Sequence, residues 1–561
     1  MRRGVSVVNK KVCSFPILFA LLALLIGTCA VVFPASAQAA PTSTGSITVS
    51  GTVASSYDAY QIFSANVIDG DNDAKIATDL AWVSDAVRDA ALPVLHSAGM
   101  SKSQTTAQEA AEWLNNDSHL TSALSAQLAR SLQSSVAVSE ALKAGTTAEL
   151  PCGYWLIVAD DDAISQGEAG TAPIMVLVGG SAVTVKPKAA TPKVSKHVLE
   201  DSAVAWQKAA DATVGDDLYW RLSATVPAGL AAYDTYAVQF VDTMSAGLDP
   251  SKVAASMRVY VAAGADGGFD AVSTGRDGRV GTEPAKGWTD ITAQCRVSVD
   301  GKTFTVRTGD LIAALGGADA FTAGVRVVAV YNAPLNSACN HGIAKGNPNE
   351  VYLRYPRSPF ADQSGDAGFT CTPSDDACAY TWDLALTKRG SDGDKPLAGA
   401  VLSIADDRGR TLAADGTWDA EGKATVTTGE DGRVAVSGVD SGKLEVRELK
   451  APKGYTAFEG TRSVTVKAEG LDVDQVAAAK PKLTITAESP LRADSADGST
   501  GSLEASLINT PTGTPPSIFT GGFMPLTGDM AMFTAAAVAV VGAALIVVAL
   551  LVKRGGGSHK E

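Results

Sequence analysis

The sequence predicts a mainly β protein: tandem β-sandwich domains, with a helical insertion in the first. Three observations carry that prediction. Short apolar-alternating runs bounded by Gly- and Asp-rich turns recur along the chain, among them residues 218–222, 236–240 and 324–331. Residues 84–146, by contrast, are rich in Ala, Ser, Gln and Leu with few β-branched runs, a composition that favours helices. At 561 residues the chain has room for about three or four domains.

The elements follow in order. Arg2, Arg3, Lys10 and Lys11 precede an apolar core at 17–33 and the small residues Ala35-Ser36-Ala37. This is a secretory leader over 1–39, cut after Ala37 or Ala39. A first domain over 40–189 opens with strands at 45–49 and 57–63. It passes through the helical insertion and returns to strands at 153–158 and 173–178. It ends on Val183-Thr184-Val185-Lys186-Pro187-Lys188, before a linker at 189–192. A middle domain over 190–370 alternates short strands and turns, and a polar segment at 364–379 connects it onward. A third domain over 380–512 opens with the alternating run 380–388 and closes at 503–510. Residues 511–522 are rich in Pro, Gly and Thr, and we read 513–523 as a stalk. In 524–561, positions 531–552 carry no charge, and about 20 such residues span a bilayer. Lys553-Arg554 then marks the cytoplasmic side.

Charge and cysteine content bound the function. The chain has a net charge of −14; the leader holds four positive charges and no acid, and residues 528–561 a net +1. The exported remainder therefore stands at −19, which speaks against nucleic-acid binding. Seven cysteines occur, two of them (Cys13, Cys29) in the leader. Export permits disulfides: Cys371 and Cys378 would close a small loop, and Cys295 and Cys339 form the next natural pair, with one cysteine left over. No spacing of His and Cys fits a metal site, so neither metal nor cofactor is expected. No nucleophile–base–acid set marks a hydrolase.

Several motifs then fall in a meaningful order. Met524-Pro525-Leu526-Thr527-Gly528, ahead of the apolar run and basic tail, resembles the LPXTG cell-wall sorting signal, with Met for the first Leu. In that family a sortase cysteine cleaves the bond equivalent to Thr527–Gly528 and transfers the threonyl carboxyl to an amine. In the third domain, Lys388, the run 396–402, residues 446–455 and Ile508-Asn509-Thr510 resemble the Cna-type B domain of Gram-positive surface proteins. Residues 446–455 look like the pilin E-box. The resemblance implies an immunoglobulin-like sandwich in which Lys388 and Asn509 join as an intramolecular isopeptide, promoted by Glu448.

The chemistry suits a buried trio. Desolvation lowers a lysine pKa and raises that of a carboxyl, making a neutral amine and a neutral acid accessible. The amine attacks the carboxamide, the acid shuttles protons, and ammonia leaves. Such a tie restricts the unfolded chain much as a disulfide does.

The middle domain is similar to the central domain of shaft pilins at 192–198, 236–248 and 346–355. That likeness implies Lys196 as amine, Asp242 as acid and Asn349 as acceptor. The usual Tyr-Ser-Asn-Asn-Pro continuation is replaced here by Tyr355-Pro356-Arg357-Ser358-Pro359. Residues 183–188 resemble the pilin motif V-x-V-Y-P-K, with Lys186 at the tyrosine position. This implies Lys188 as the intermolecular nucleophile, with Lys186 as runner-up. The whole chain thus resembles the major shaft pilin of a sortase-assembled pilus. The implied partners are identical subunits, a class C-type pilin sortase, a housekeeping sortase, minor pilins, peptidoglycan and a host ligand. The implied setting is the cell wall and fimbrium, reached through a transiently membrane-anchored precursor. No turnover enzyme is expected. The alternative is a singly wall-anchored adhesin or basal pilin.

Overall fold

A computed structural model describes residues 43–513 apart from 72, 73, 117, 188–190, 276–278 and 318–322. The leader, Lys188, the stalk beyond residue 513, the sorting motif Met524–Gly528 and the apolar run lie outside the described residues. Among the described residues no helix is long and apolar enough to cross a membrane.

The first module is organised around one strand, Gly153–Ala159, whose seven residues are all buried. Successive side chains of a strand point to opposite faces. Trp155, Ile157 and Ala159 pack against a small sheet that contains Ile47, Leu150 and Val185. Tyr154, Leu156 and Val158 pack under the helices, against Ala91, Leu95, Leu128 and Leu132. The helices are Asp85–Ser97, Ala107–Leu114 and Ser122–Ser135, started by Ser84, Thr106 and Thr121. Each of those three side chains accepts a hydrogen bond from an otherwise unpaired first-turn N–H. The expected insertion is therefore helical, and it supplies half of a core. Ser56–Asp69 is a longer strand than the run 57–63 suggested. The motif strand Val183–Val185 lies parallel to Thr44–Val49, with Val185 buried and Lys186 exposed beyond it.

The middle module is a sandwich of two sheets. One contains Lys193–Glu200, Tyr219–Val226 and Val325–Asn332 side by side. The other contains Gln239–Met244 paired with Asn347–Pro356. Asp375–Tyr380, which the polar composition of 364–379 had marked as a connector, is a strand of this second sheet, paired with Asn347–Pro356. Phe369–Cys371 pairs with the same strand further along. Trp220, Leu222, Phe240, Phe304, Val327, Val351 and Leu353 fill the space between the sheets.

The third module is a second sandwich. Trp382–Gly390 runs parallel to Ser502–Pro511 in one sheet; Gly442–Lys450 lies in the other. Trp382, Leu384, Leu386, Leu402, Val446, Val464 and Leu507 form its core. Middle and third modules are joined by more than the chain. The Trp382 indole donates to Asp211 Oδ2 at 2.6 Å, and Arg410 forms a fork with both oxygens of Asp216. Ile343 and Ala344 donate backbone hydrogen bonds to Gly498 and Ser499.

The disulfide expectation is corrected. All five described cysteines are free. Cys371 stands opposite Arg354 and Cys378 opposite Pro348, six positions apart on one strand. At about 3.3 Å per residue this is roughly 20 Å, against a bridging limit near 7 Å between Cα atoms. Cys295 precedes a strand whose Arg296 pairs with Arg307, itself opposite Gln239. Cys339 packs against Gly247, beyond the far end of the same Gln239–Met244 strand.

Candidate functional site

Two buried clusters bring the expected lysines, acids and asparagines together, and strand periodicity explains how. In the Lys193–Glu200 strand, Lys196 is in phase with the core residue Val198. Asp242 is in phase with Phe240 and Met244, and Asn349 with Val351, Leu353 and Tyr355. Each polar residue thus occupies an inward slot that apolar neighbours define. Lys196, Asp242 and Asn349 are all 0% exposed. The lysine belongs to one sheet and the acid and amide to the other, so the cluster spans the sandwich.

Its hydrogen bonds converge on a residue that the sequence reading missed. Tyr331, also 0% exposed, accepts from Lys196 Nζ at 2.9 Å and from Asn349 Nδ2 at 2.8 Å. It donates to Asp242 Oδ2 at 3.1 Å. Lys196 Nζ also donates directly to Asp242 Oδ2. Among the described residues, Asp242 Oδ1 and Asn349 Oδ1 have no hydrogen-bond partner. Burial pulls the Lys196 ammonium down to about 8, against the counter-pull of Asp242, and pushes the Asp242 carboxyl up. The backbone at Lys196 is fixed by Asp375, which accepts from Lys196 N at 2.7 Å and from Lys208 Nζ. A usable signal existed for Tyr331: it follows Val325, Val327 and Ala329 in the inward phase, and a buried tyrosine hydroxyl needs polar partners.

The third-module cluster is built differently. Lys388 is in phase with Leu384 and Leu386, Glu448 with Leu444 and Val446, and Asn509 with Ala505 and Leu507. Gly390 is paired with Asn509 and Lys388 with Leu507, so amine and amide sit diagonally on adjacent parallel strands. Glu448 reaches in from the opposite sheet. Lys388 Nζ donates to the Leu507 carbonyl at 3.2 Å and lies 3.6 Å from Glu448 Oε1. Asn509 Nδ2 donates to both Glu448 oxygens, at 2.9 and 3.1 Å, and Phe458 N–H donates to Oε2 at 3.1 Å. Asn509 Oδ1 has no partner among the described residues. Burial again takes the lysine down to about 8.

Residues 383–480 match the SpaA family, described as a prealbumin-like fold domain. The trypsin-resistant surface T6 protein of Streptococcus pyogenes serotype M6 is 30% identical over 143 residues, which is 24% of this chain and 24% of that protein. The chain thus aligns with only a quarter of that relative's length. The solved T6 backbone pilin of serotype M6 S. pyogenes superposes over 84% of this chain and 98% of its own, with TM-score 0.44 and 17% identity. The full-length major pilin SpaD from Corynebacterium diphtheriae does so over 84% and 98%, with TM-score 0.39 and 14% identity. Within the third module, residues 383–480 thus match the SpaA prealbumin-like fold domain, and the chain shares 30% identity over 143 residues with the T6 surface protein.

Proposed function

We propose that this chain is the shaft subunit of a covalently polymerised surface pilus, each subunit locked by two internal isopeptide bonds. The observation that carries the proposal is the pair of buried lysine–acid–asparagine clusters in successive sandwiches. A buried ion pair by itself is weak support for stability, because desolvation offsets most of the attraction. Two such pairs, each with a carboxamide beside it, suit a reaction better than a static contact.

In the third module the reaction runs from the geometry. Lys388 gives a proton to Glu448, and its neutral nitrogen, aimed by the Leu507 carbonyl, attacks the Asn509 carboxamide carbon. Glu448 hands its proton to Nδ2, which it already holds, and takes one from the attacking nitrogen. The Nζ–Cγ bond forms, the Cγ–Nδ2 bond breaks, and ammonia leaves. In the middle module Lys196 would be the amine and Asn349 the acceptor, with Asp242 taking the first lysine proton.

Between subunits, a pilin sortase would join Thr527 of one copy to Lys188 of the next, and a housekeeping sortase would pass the finished polymer to peptidoglycan. A repeated head-to-tail joint that does not close on itself gives a filament. Two measurements test the proposal. The intact mass of the purified exported chain should fall short by two ammonia molecules; no deficit refutes the internal bonds. Denaturing gels of wall extracts should show a high-mass ladder that collapses with Lys188→Ala. A single band from the unmutated strain would sink the shaft reading in favour of a singly anchored protein.

A further inference from the structure

We propose that the Tyr331 hydroxyl is a catalytic residue of middle-module crosslinking, relaying a proton from the attacking Lys196 nitrogen to the leaving Asn349 nitrogen. This rests on the reading above that Lys196 and Asn349 join.

An acid that serves both ends of the reaction must touch both the amine and the leaving nitrogen. Glu448 does so in the third module, contacting Lys388 Nζ and Asn509 Nδ2. Asp242, one methylene shorter, does not. Its Oδ2 is engaged by Lys196 and Tyr331, and its Oδ1 has no partner. Among the described residues, the Asn349 carboxamide nitrogen donates its hydrogen bond to Tyr331. The hydroxyl therefore stands between the two nitrogens that must exchange a proton, 2.9 Å from one and 2.8 Å from the other. These distances lie within the range required of a proton-transfer group.

The position is also fixed. The Tyr331 ring meets Phe304 edge-on at 4.8 Å between centroids, and both residues are fully buried. No water is needed to complete the path, and a sealed core would admit none easily.

The step balances. Lys196 first gives one proton to Asp242 and attacks the Asn349 Cγ with its freed lone pair. As that carbon becomes tetrahedral, Nδ2 loses its amide conjugation and becomes a proton acceptor. Tyr331 then gives its hydroxyl proton to Nδ2 and takes one from Nζ. The Cγ–Nδ2 bond breaks and ammonia departs. Tyr331 ends as it began, and Asp242 keeps the first proton. No oxidant or co-reactant enters.

The test follows crosslinking in the full exported chain, made by cell-free synthesis and sampled over time by intact mass and peptide mapping. General acid–base groups contribute about 10²–10⁴-fold, so Tyr331→Phe should slow the Lys196–Asn349 link at least about 100-fold. The Lys388–Asn509 link in the same molecules should form at its normal rate, which serves as an internal clock. A Lys196–Asn349 link that forms at the unaltered rate in Tyr331→Phe overturns the relay. If the unaltered chain never forms that link, the parent reading fails instead, and peptide mapping tells the two failures apart. Should Tyr331→Phe disturb the fold, 3-fluorotyrosine placed at position 331 keeps the shape and the hydrogen bonds while making the hydroxyl more acidic. A changed rate of the Lys196–Asn349 link supports the relay; an unchanged rate overturns it.

Discussion

The two clusters use the same three residue types and arrange them in opposite ways. In the third module the lysine and asparagine lie on adjacent parallel strands of one sheet, and the acid crosses from the other. In the middle module the lysine crosses alone, and acid and amide share the facing sheet. A glutamate that already holds the carboxamide needs no intermediary, while an aspartate that falls short has a tyrosine beside it. If both proposed bonds form, the reach of the acid side chain sets how many other groups each buried reaction requires.

The comparison can be broken first at its lysines. Lys196→Ala leaves Asp242 buried with an unpartnered oxygen and only Tyr331 for company. That should cost roughly 3–5 kcal/mol, beyond the loss of the tie. Lys388→Ala should cost less, because Glu448 keeps hydrogen bonds from Phe458 and Asn509. Calorimetric transitions of the two modules measure this, and equal shifts would contradict it.

Next come the ties alone. Asn349→Ala and Asn509→Ala should each remove about 4–5 kcal/mol, since both bonds would close loops of more than about 100 residues and the cost grows slowly with length. Each variant should restore one ammonia to the mass deficit and lower the transition of its own module only.

A smaller change sharpens the role of reach. Glu448→Asp withdraws the carboxylate from Asn509 Nδ2 where no hydroxyl substitutes. Third-module crosslinking should slow by about 100-fold, read by the timed mass deficit. An unchanged rate would show that direct contact with the leaving nitrogen is unimportant.

A pH dependence gives a further check. In an uncrosslinkable chain carrying both asparagine substitutions, the folded lysines sit at about 8 against an ordinary 10.5. The unfolded chain then holds the extra protons across that window, so stability should rise with pH from about 8 to 10.5. The crosslinked chain carries amides at those positions and should show no such rise. Denaturation midpoints across this range decide it.

Much of the site was expected from the family resemblance, whose motifs marked Lys196, Asp242, Asn349, Lys388, Glu448 and Asn509, and each of them sits in the apolar phase of its own strand. The helical insertion was legible from composition, which is a local signal. Tyr331 carried a weaker signal, because a tyrosine in an apolar phase looks like ordinary core and its partners lie on strands distant in sequence. The cysteine pairs failed because sheet register is non-local: Cys371 and Cys378 are near in sequence and face opposite ends of one partner strand. The strand Asp375–Tyr380 was hidden by Asp375 and Asp376, and Asp375 turns out to hold the Lys196 backbone.

The parallel pairing of Trp382–Gly390 with Ser502–Pro511 has a mechanical meaning if the proposed bonds form. Tension entering the third module at Trp382 would travel along one strand to Lys388, cross the bond to Asn509 and leave at Pro511. The 389–508 segment would bear almost none of it. In the middle module the same route runs from Lys196 to Asn349, but the chain then continues through Asp375–Tyr380 before leaving. Residues 350–380 would remain in series with the pull. An overstretched fibre would thus yield first in that short segment and re-form it on release, giving a filament of fixed bonds a small, recoverable extension.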